Sequence, residues 1–241
     1  SSGIASSASA MAALALCVVD FEKQFNPHWS AEDFLQKASF LARLGSGSAA
    51  RSIAGPLMVW GESIAFSGSS DQYAIVPQGE WHPIFQNFQD TVLIVDKGQK
   101  KVSSTLGHGL MEGHPFASQR FKQAHQNMVA LKNALSTGDL DQFIDITEGE
   151  ALSLHALMMT SQPRFVLMQP QTLAIIQKIW SFRAQSQLPL CFTLDAGANV
   201  HLLYPHEDRI SVMDFIKNEL HPYCQNGAYI EDRVGNGAQK I

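Results

Sequence analysis

Apolar residues recur along the chain with helical or strand spacing, and the pattern predicts a mixture of helices and strands. Residues 11–19 (MAALALCVV) are mostly strong helix formers behind a stretch of small residues, which predicts a loop running into a buried helix. Residues 29–44 predict a second helix that Ser30 caps. One face of that helix is apolar: Phe34, Ala38, Leu41 and Leu44.

The rest of the chain continues the mixture. Residues 92–95 (VLIV) form a fully apolar run between polar turns, which predicts a central strand. Helices are expected over 116–134, 140–159, 170–187 and 210–220, and further strands over 57–60, 73–76, 190–194, 200–204 and 228–234. Without a regular strand-helix repeat, this order favours an α+β fold, and we expect two domains, 1–90 and 91–241.

Composition narrows the class of protein. Of the 241 residues, 45% are hydrophobic and 16% are charged, which predicts a folded chain with a sizeable core. The formal net charge of −5 gives no basic footprint, so we expect no nucleic-acid partner. Three widely separated cysteines, in no metal-type spacing, indicate reduced thiols and a cytoplasmic protein.

The uncharged start of the chain raises the question of a membrane segment. Its apolar part spans only residues 11–19, well short of the roughly 18 residues that cross a bilayer. No basic residue precedes it, and the small residues come first rather than last. We therefore expect neither a membrane anchor nor an export signal.

Two loops of small residues could bind anions. The first, residues 3–9 (GIASSAS), lies at a predicted helix start, where free N–H groups and the helix dipole favour a phosphate. A hydroxyl such as that of Ser7 could reach a phosphate oxygen or Mg²⁺; the alternative is a plain capped helix. The second, residues 45–52 (GSGSAARS), ends in Arg51, which could fork onto a carboxylate or phosphate or simply be solvated.

Three other segments carry polar side chains that could belong to a site. Asp195 follows an apolar strand and precedes small residues, which fits either a ligand site or an ordinary turn. Ser104 stands in a run of hydroxyl residues behind two lysines, a pattern also typical of a solvated turn. Glu148 and His155 share a helical face, but two ligands do not make a metal site, so a hydrogen-bonded histidine between helices is the preferred interpretation.

Five segments together, in this order, resemble the diphosphomevalonate decarboxylase family of the galactokinase, homoserine kinase and mevalonate kinase superfamily. They are residues 1–16 (SSGIASSASAMAALAL), 45–60 (GSGSAARSIAGPLMVW), 100–105 (KKVSST), 153–155 (SLH) and 192–203 (FTLDAGANVHLL). The resemblance implies a GHMP kinase-like α+β fold. Its first, here partial, domain would resemble the second domain of a small-subunit ribosomal protein, and its C-terminal domain would be ferredoxin-like.

The resemblance also implies roles for individual residues. Asp195 and Arg51 match the catalytic aspartate and the arginine that grips the substrate carboxylate. The substrate-binding residues would be Ser46, Ser48, Arg51 and Ser104, and the ATP-phosphate loop would contain Gly3, Ala5, Ser6 and Ser7, with Ser7 as a possible Mg²⁺ contact. The implied cofactors are ATP and Mg²⁺, and the implied assembly is a homodimer without membrane partners.

The implied reaction is the ATP-dependent decarboxylation of (R)-5-diphosphomevalonate to isopentenyl diphosphate. Two alternatives stay open: a kinase of the same superfamily acting on mevalonate or a phosphomevalonate, and an inactive ATP-binding fragment. The family's lysine-tyrosine-tryptophan-glycine-lysine segment has no counterpart here, so we expect an N-terminally truncated fragment. Gly55-Pro56 and residues 235–237 (GNG) match the family's glycine motifs only in part.

Overall fold

A computed structural model describes residues 6–98 and 109–239, with only the backbone of Ser6. The chain forms two compact units. One consists of residues from Ala5–Glu80 and Gly235–Ile241, and the other is formed by Trp81–Val234. The division into domains at residue 90 stays a prediction. The two units are defined by contacts, and the C-terminal tail, Gly235–Ile241, belongs to the N-terminal unit.

The N-terminal unit is built around two helices, α1 (Ser6–Lys23) and α2 (Ala31–Gly45). The predicted cap of α2 is confirmed: Ser30 Oγ accepts from the Asp33 N–H and Asp33 Oδ2 accepts from the Ser30 N–H, both at 3.0 Å. A 3-10 helix (Gly47–Ser52) follows, and then a two-residue antiparallel pair of strands, β1 (Val59–Trp60) and β2 (Ala74–Ile75).

The core of this unit consists mainly of alanines, which lets its helices approach closely. Its buried members are Ala8, Ala12, Ala15, Val19, Ala38, Ala42, Ala49 and Ile53. The expectation that α1 is buried was wrong for half of its surface. Its apolar residues extend around the whole helix, whereas only the stripe from Ala8 to Val19 faces this core, so Leu14 and Phe21 are 58% and 63% exposed. Leu44, expected on the inner face of α2, is likewise exposed.

The C-terminal tail closes against the N-terminal unit through glycines. Gly237 forms an isolated antiparallel bridge with Ala54. A Cβ atom on Gly55 would lie 2.6 Å from the Gly235 carbonyl oxygen, and one on Gly237 would lie 2.5 Å from the Ala54 carbonyl carbon. The two partial glycine motifs of the sequence therefore meet, and the close backbone approach explains why both sites lack side chains.

The C-terminal unit contains a four-stranded antiparallel sheet. Its strands are β3 (Gln89–Leu93), β4 (Cys191–Leu194), β5 (Val200–Tyr204) and β6 (Tyr229–Arg233), in the spatial order β4-β5-β3-β6. Three long helices are described between β3 and β4 in sequence: α3 (Ala117–Thr137), α4 (Leu140–Thr160) and α5 (Pro170–Ser186). A fourth, α6 (Arg209–Phe215), continues as a π-helical turn (Ile216–Leu220) before β6.

This order of strands and helices is the ferredoxin-like topology, so the expected α+β fold is confirmed. The strand predicted over 92–95 does lie inside the sheet, but it begins and ends earlier. Gln89 to Leu93 pair with both neighbours, whereas Val95 leaves the ladder and donates its N–H to Asn199 Oδ1. The hydrogen bond from Val95 to the Asn199 side chain ends the strand, and an apolar run of sequence gives no sign of such a bond.

The helices α5 and α6 cover the core face of the sheet. Fully buried side chains from both layers meet there: Leu93, Ile175, Ile179, Phe192, Val200, Leu202, Val212 and Ile216. Within residues 6–98 and 109–239, no helix combines the length and the apolar character that crossing a bilayer requires.

Candidate active site

Asp195 stands at the end of β4, where the sequence placed it. Leu194 pairs with Val200 across the β4-β5 hairpin, and Asp195 is the first residue beyond the ladder. Its carboxylate is exposed and forms no hydrogen bond with any residue that the structure describes. An apolar strand thus ends in a free carboxylate at the surface of the C-terminal unit.

The loop that carries Asp195 is held by side chains from the surrounding helices and by its own asparagine. His155 Nε2, on α4, lies 3.2 Å from the Asp195 carbonyl oxygen. Thr172 Oγ1, in the first turn of α5, donates to the Ala198 carbonyl at 2.7 Å. Asn199 Oδ1 accepts from the N–H groups of Val95 and Asp96 at 2.9 and 3.0 Å. The turn is therefore held at three places, two through main-chain carbonyls and one through the Asn199 side chain.

The histidine at this loop is buried and neutral. Only 1% of His155 is exposed. Desolvation lowers the pKa of His155, and its hydrogen bond to the Asp195 carbonyl opposes that shift without cancelling it. Because a carbonyl has no proton to give, Nε2 of the neutral ring must carry the hydrogen. His155 is hydrogen-bonded, as predicted, but its partner is a loop carbonyl and not a group on another helix as expected.

Glu148, on the same face of α4, has a different task. Its carboxylate accepts from Arg183 Nη1 at 2.6 Å and from Trp180 Nε1 at 2.7 Å, both on α5. Arg183 Nη1 also donates to the Leu190 carbonyl at 2.8 Å, next to the start of β4. Glu148 therefore ties α4 to α5, and no group of three His, Cys, Asp or Glu residues suited to a metal occurs in the described part of the chain.

In the N-terminal unit, two of the predicted binding serines lie together. Ser7 is in the first turn of α1 and Ser46 caps the end of α2, and their hydroxyl oxygens are 3.3 Å apart. Ser46 caps the helix through its backbone: its N–H donates to the Ala42 carbonyl, and its carbonyl accepts from the Ala49 N–H. The start of one helix and the end of the next thus bring two hydroxyls to one place.

Arg51 lies in the last turn of the 3-10 helix that follows. Its side chain is exposed and forms no hydrogen bond or ion pair with the described residues. Ser48, one turn earlier, is half-buried. A guanidinium without an ion-pair partner can bind an anionic ligand without first breaking an ion pair.

Trp60 supports this loop. It was not among the predicted site residues. A Cβ atom on Gly47 would lie 3.2 Å from Cη2 of Trp60, so the ring packs directly on the backbone between Ser46 and Ser48. Trp60 Nε1 donates to the Asp71 carbonyl at 3.0 Å, which fixes the ring. The glycine between the two serines is the sequence signal that points to this contact.

Some predicted site residues cannot be placed. Gly3, Ala5 and Ser104 lie outside the described residues, and of Ser6 only the backbone is described, at the start of α1. Asp195 belongs to the C-terminal unit, whereas Ser7, Ser46, Ser48 and Arg51 belong to the N-terminal unit.

Comparison with known families identifies both parts of the chain. Residues 91–239 match the mevalonate 5-diphosphate decarboxylase C-terminal domain, and residues 1–74 match the diphosphomevalonate decarboxylase-like N-terminal domain.

Curated relatives share these names. A diphosphomevalonate decarboxylase of Ganoderma lucidum is 30% identical over 223 residues, which cover 89% of this chain and 53% of that protein. One of Aspergillus fumigatus is 29% identical, with 91% and 53% covered, and a phosphomevalonate decarboxylase of Haloferax volcanii is 28% identical, with 86% and 60% covered. The chain spans about half the length of the first two relatives.

Solved structures agree with this assignment. A mevalonate diphosphate decarboxylase of Staphylococcus aureus superposes with a TM-score of 0.77 at 27% identity, over 96% of this chain and 66% of that one. A structure described as MDDEF in complex with MVAPP, AMPPCP and magnesium gives a TM-score of 0.80 at 25% identity, over 98% and 67%. With more than half of its length inside one family's C-terminal domain and the GHMP kinase fold of its structural neighbours, the chain belongs to the mevalonate diphosphate decarboxylase family.

Proposed function

We propose that this chain is part of an ATP-dependent decarboxylase that converts (R)-5-diphosphomevalonate into isopentenyl diphosphate, ADP, phosphate and carbon dioxide. The observation that carries the proposal is the Asp195 carboxylate, which is exposed and unpaired among the described residues while its loop is held at three places. A fixed backbone with a free carboxylate suits a group that acts on a substrate rather than on the fold.

Asp195 is proposed as the catalytic base. Its carboxylate would orient the tertiary 3-hydroxyl of the substrate and take the hydroxyl proton as that oxygen attacks the γ-phosphate of ATP. Phosphate then leaves from C3 while the C–C bond to the carboxylate breaks, so the electron pair of that bond forms the new double bond and carbon dioxide is released.

Arg51 is proposed to orient the departing carboxylate. Its guanidinium would hold that carboxylate so that the breaking bond is antiperiplanar to the leaving phosphate, a positioning effect that can contribute several kcal/mol. Ser46 and Ser48, with Ser104, would bind the diphosphate of the substrate. The exposed Arg51 side chain, which has no partner among the described residues, supports this role.

The ATP phosphates are proposed to bind at the start of α1, along Gly3, Ala5, Ser6 and Ser7. The exposed Ser7 hydroxyl fits a role as one oxygen ligand of Mg²⁺, which usually takes few protein ligands and completes its shell with phosphate oxygens and water. When bound, Mg²⁺ supplies positive charge that offsets the charge of the phosphates.

The direct test is a coupled assay of ADP, phosphate and carbon dioxide, made on a form of the protein as long as its curated relatives. Equal amounts of all three products from the diphosphate substrate are expected. ADP without carbon dioxide would instead identify a kinase of the same superfamily. Turnover of 5-phosphomevalonate but not of the diphosphate would show that the substrate is the monophosphate. The 241-residue chain assayed beside it is expected to bind ATP weakly or not at all and to show no turnover.

We also propose that the protein works as a homodimer in the cytoplasm. The three free cysteines, Cys17, Cys191 and Cys224, support a reducing compartment. Sedimentation analysis at micromolar concentration and imaging of a fluorescent fusion test the two statements. A monomer, or signal confined to an oxidising compartment, contradicts the corresponding one.

A further inference from the structure

We propose that His155 is a positioning residue for Asp195 and sets the direction of its carboxylate through the main chain of the loop. This inference rests on the proposed function, because it assumes that Asp195 acts on the substrate. His155 itself is buried, so it acts through Asp195.

The geometry fixes Asp195 from both sides. On its N-terminal side, Leu194 is held in the β4-β5 ladder opposite Val200. On its C-terminal side, the Asp195 carbonyl oxygen is 3.2 Å from His155 Nε2 and accepts the Gly197 N–H at 2.7 Å. Because the peptide unit is planar, fixing that oxygen fixes the plane between residues 195 and 196. The direction of the Asp195 side chain follows from those two constraints.

His155 is the constraint that comes from outside the turn. The Gly197 N–H moves with the loop, whereas His155 is in the C-terminal half of α4, a helix of 21 residues that packs on β4. Glu148 ties the same helix to α5 through Arg183, and Thr172 ties the start of α5 to Ala198 at the far end of the loop. The position of the loop is therefore fixed by hydrogen bonds from two helices, α4 and α5.

The effect on turnover is expected to be large although no substrate contact is lost. A misplacement of about 1 Å at a reacting group can cost on the order of a hundredfold in rate. We expect His155→Phe, which keeps a ring but removes the donor, to lower kcat about ten- to hundredfold while KM for the phosphorylated substrate changes less than about threefold. In His155→Gln the amide N–H can reach the same carbonyl, so this variant is expected to recover most of kcat.

His114 provides a matched control. It is also buried, and its Nε2 lies 3.2 Å from a backbone carbonyl, that of Leu157, which is not part of the Asp195 loop. His114→Phe should therefore lower the thermal unfolding midpoint without lowering kcat. Equal losses of kcat in the two phenylalanine variants would overturn the inference, because they would show a general effect of damage to α4.

The experiment uses a protein of the relatives' length and includes Asp195→Asn in the same assay. If Asp195→Asn is inactive and His155→Phe turns over normally, the positioning role is overturned and the proposed function stands. If Asp195→Asn turns over normally, the proposed role of Asp195 fails first. Where His155→Phe does not fold, the comparison of His155→Gln with the shorter His155→Asn decides: higher kcat in Gln supports the role, and equal kcat overturns it.

Discussion

His155 and Arg51 show how single residues in this chain depend on what surrounds them. His155 is enclosed and kept neutral, with its proton committed to the Asp195 carbonyl. Arg51 is exposed and has no partner among the described residues, so its charge is available to a ligand. Both residue types can be cations, but burial disfavours the charged form of His155, whereas the Arg51 side chain is exposed.

The buried histidine predicts a dependence of stability on pH. The pKa of His155 in the folded protein is below its ordinary value of about 6.5, so the unfolded chain binds more protons once the pH falls below that value. The free energy of unfolding should therefore decrease as the pH falls from 7.5 towards 5.

Urea denaturation across this pH range checks the effect, with His155→Gln as the reference that cannot titrate at this position. The wild-type protein should lose more stability than the variant as the pH falls. Parallel curves for the two proteins would show that burial of His155 does not set its protonation.

At the scale of elements, the C-terminal unit is stabilised where helices end and where they cross. Glu148 joins α4 to α5 by an ion pair whose carboxylate side chain is only 9% exposed. Gly138 ends α3 with φ at +81°, and its N–H donates to the Ala134 carbonyl at 2.9 Å. Neither feature touches the candidate active site directly, but both hold the helices that support it.

Removing the Glu148 carboxylate should lower the free energy of unfolding because several donors lose an acceptor. Glu148→Ala leaves Trp180 Nε1 without its acceptor and Arg183 with only the Leu190 carbonyl, and we expect a loss of about 3 kcal/mol in the free energy of unfolding. Glu231→Ala is the control, since it breaks an exposed ion pair with Arg209, and it should cost less than about 1 kcal/mol. Similar losses measured by urea denaturation would mean that the crossing of α4 and α5 does not depend on this ion pair.

The glycine at the end of α3 gives a second prediction at this scale. In Gly138→Ala the alanine would have to adopt a left-handed backbone conformation, and its Cβ would lie 2.7 Å from the ring of His82. Gly113→Ala has a similar φ of +72° but no heavy atom within 4 Å, so it isolates the conformational cost of about 1–2 kcal/mol. We expect the unfolding midpoint to fall further in Gly138→Ala, and equal shifts would contradict the steric part of the argument.

For the whole molecule, local patterns predicted the elements well and their mutual contacts poorly. Helical spacing and the Ser30 cap gave α2 almost to the residue, and the polar turn after the apolar strand located Asp195 at the end of β4. The same spacing could not tell which side of α1 would be covered, because its apolar residues extend around the helix.

Contacts between distant residues were also outside the reach of local patterns. The capture of Val95 by Asn199, the bond from His155 to Asp195 and the meeting of Gly55 with Gly237 join positions far apart in sequence. Each partner is an ordinary residue in its own segment, and only the fold gives the pair its meaning. The candidate residues themselves were found through a resemblance spread over nearly the whole chain.

The central claim is that Asp195 is the base of an ATP-dependent decarboxylation. It is tested most directly by carbon dioxide release from (R)-5-diphosphomevalonate in a protein of the relatives' length, with Asp195→Asn compared with the wild type. Asparagine keeps the shape of the side chain but cannot take the hydroxyl proton, so release should fall by at least about a hundredfold, the lower range for loss of a general base. Near-normal release by Asp195→Asn, with the same unfolding midpoint as the wild type, would contradict the claim.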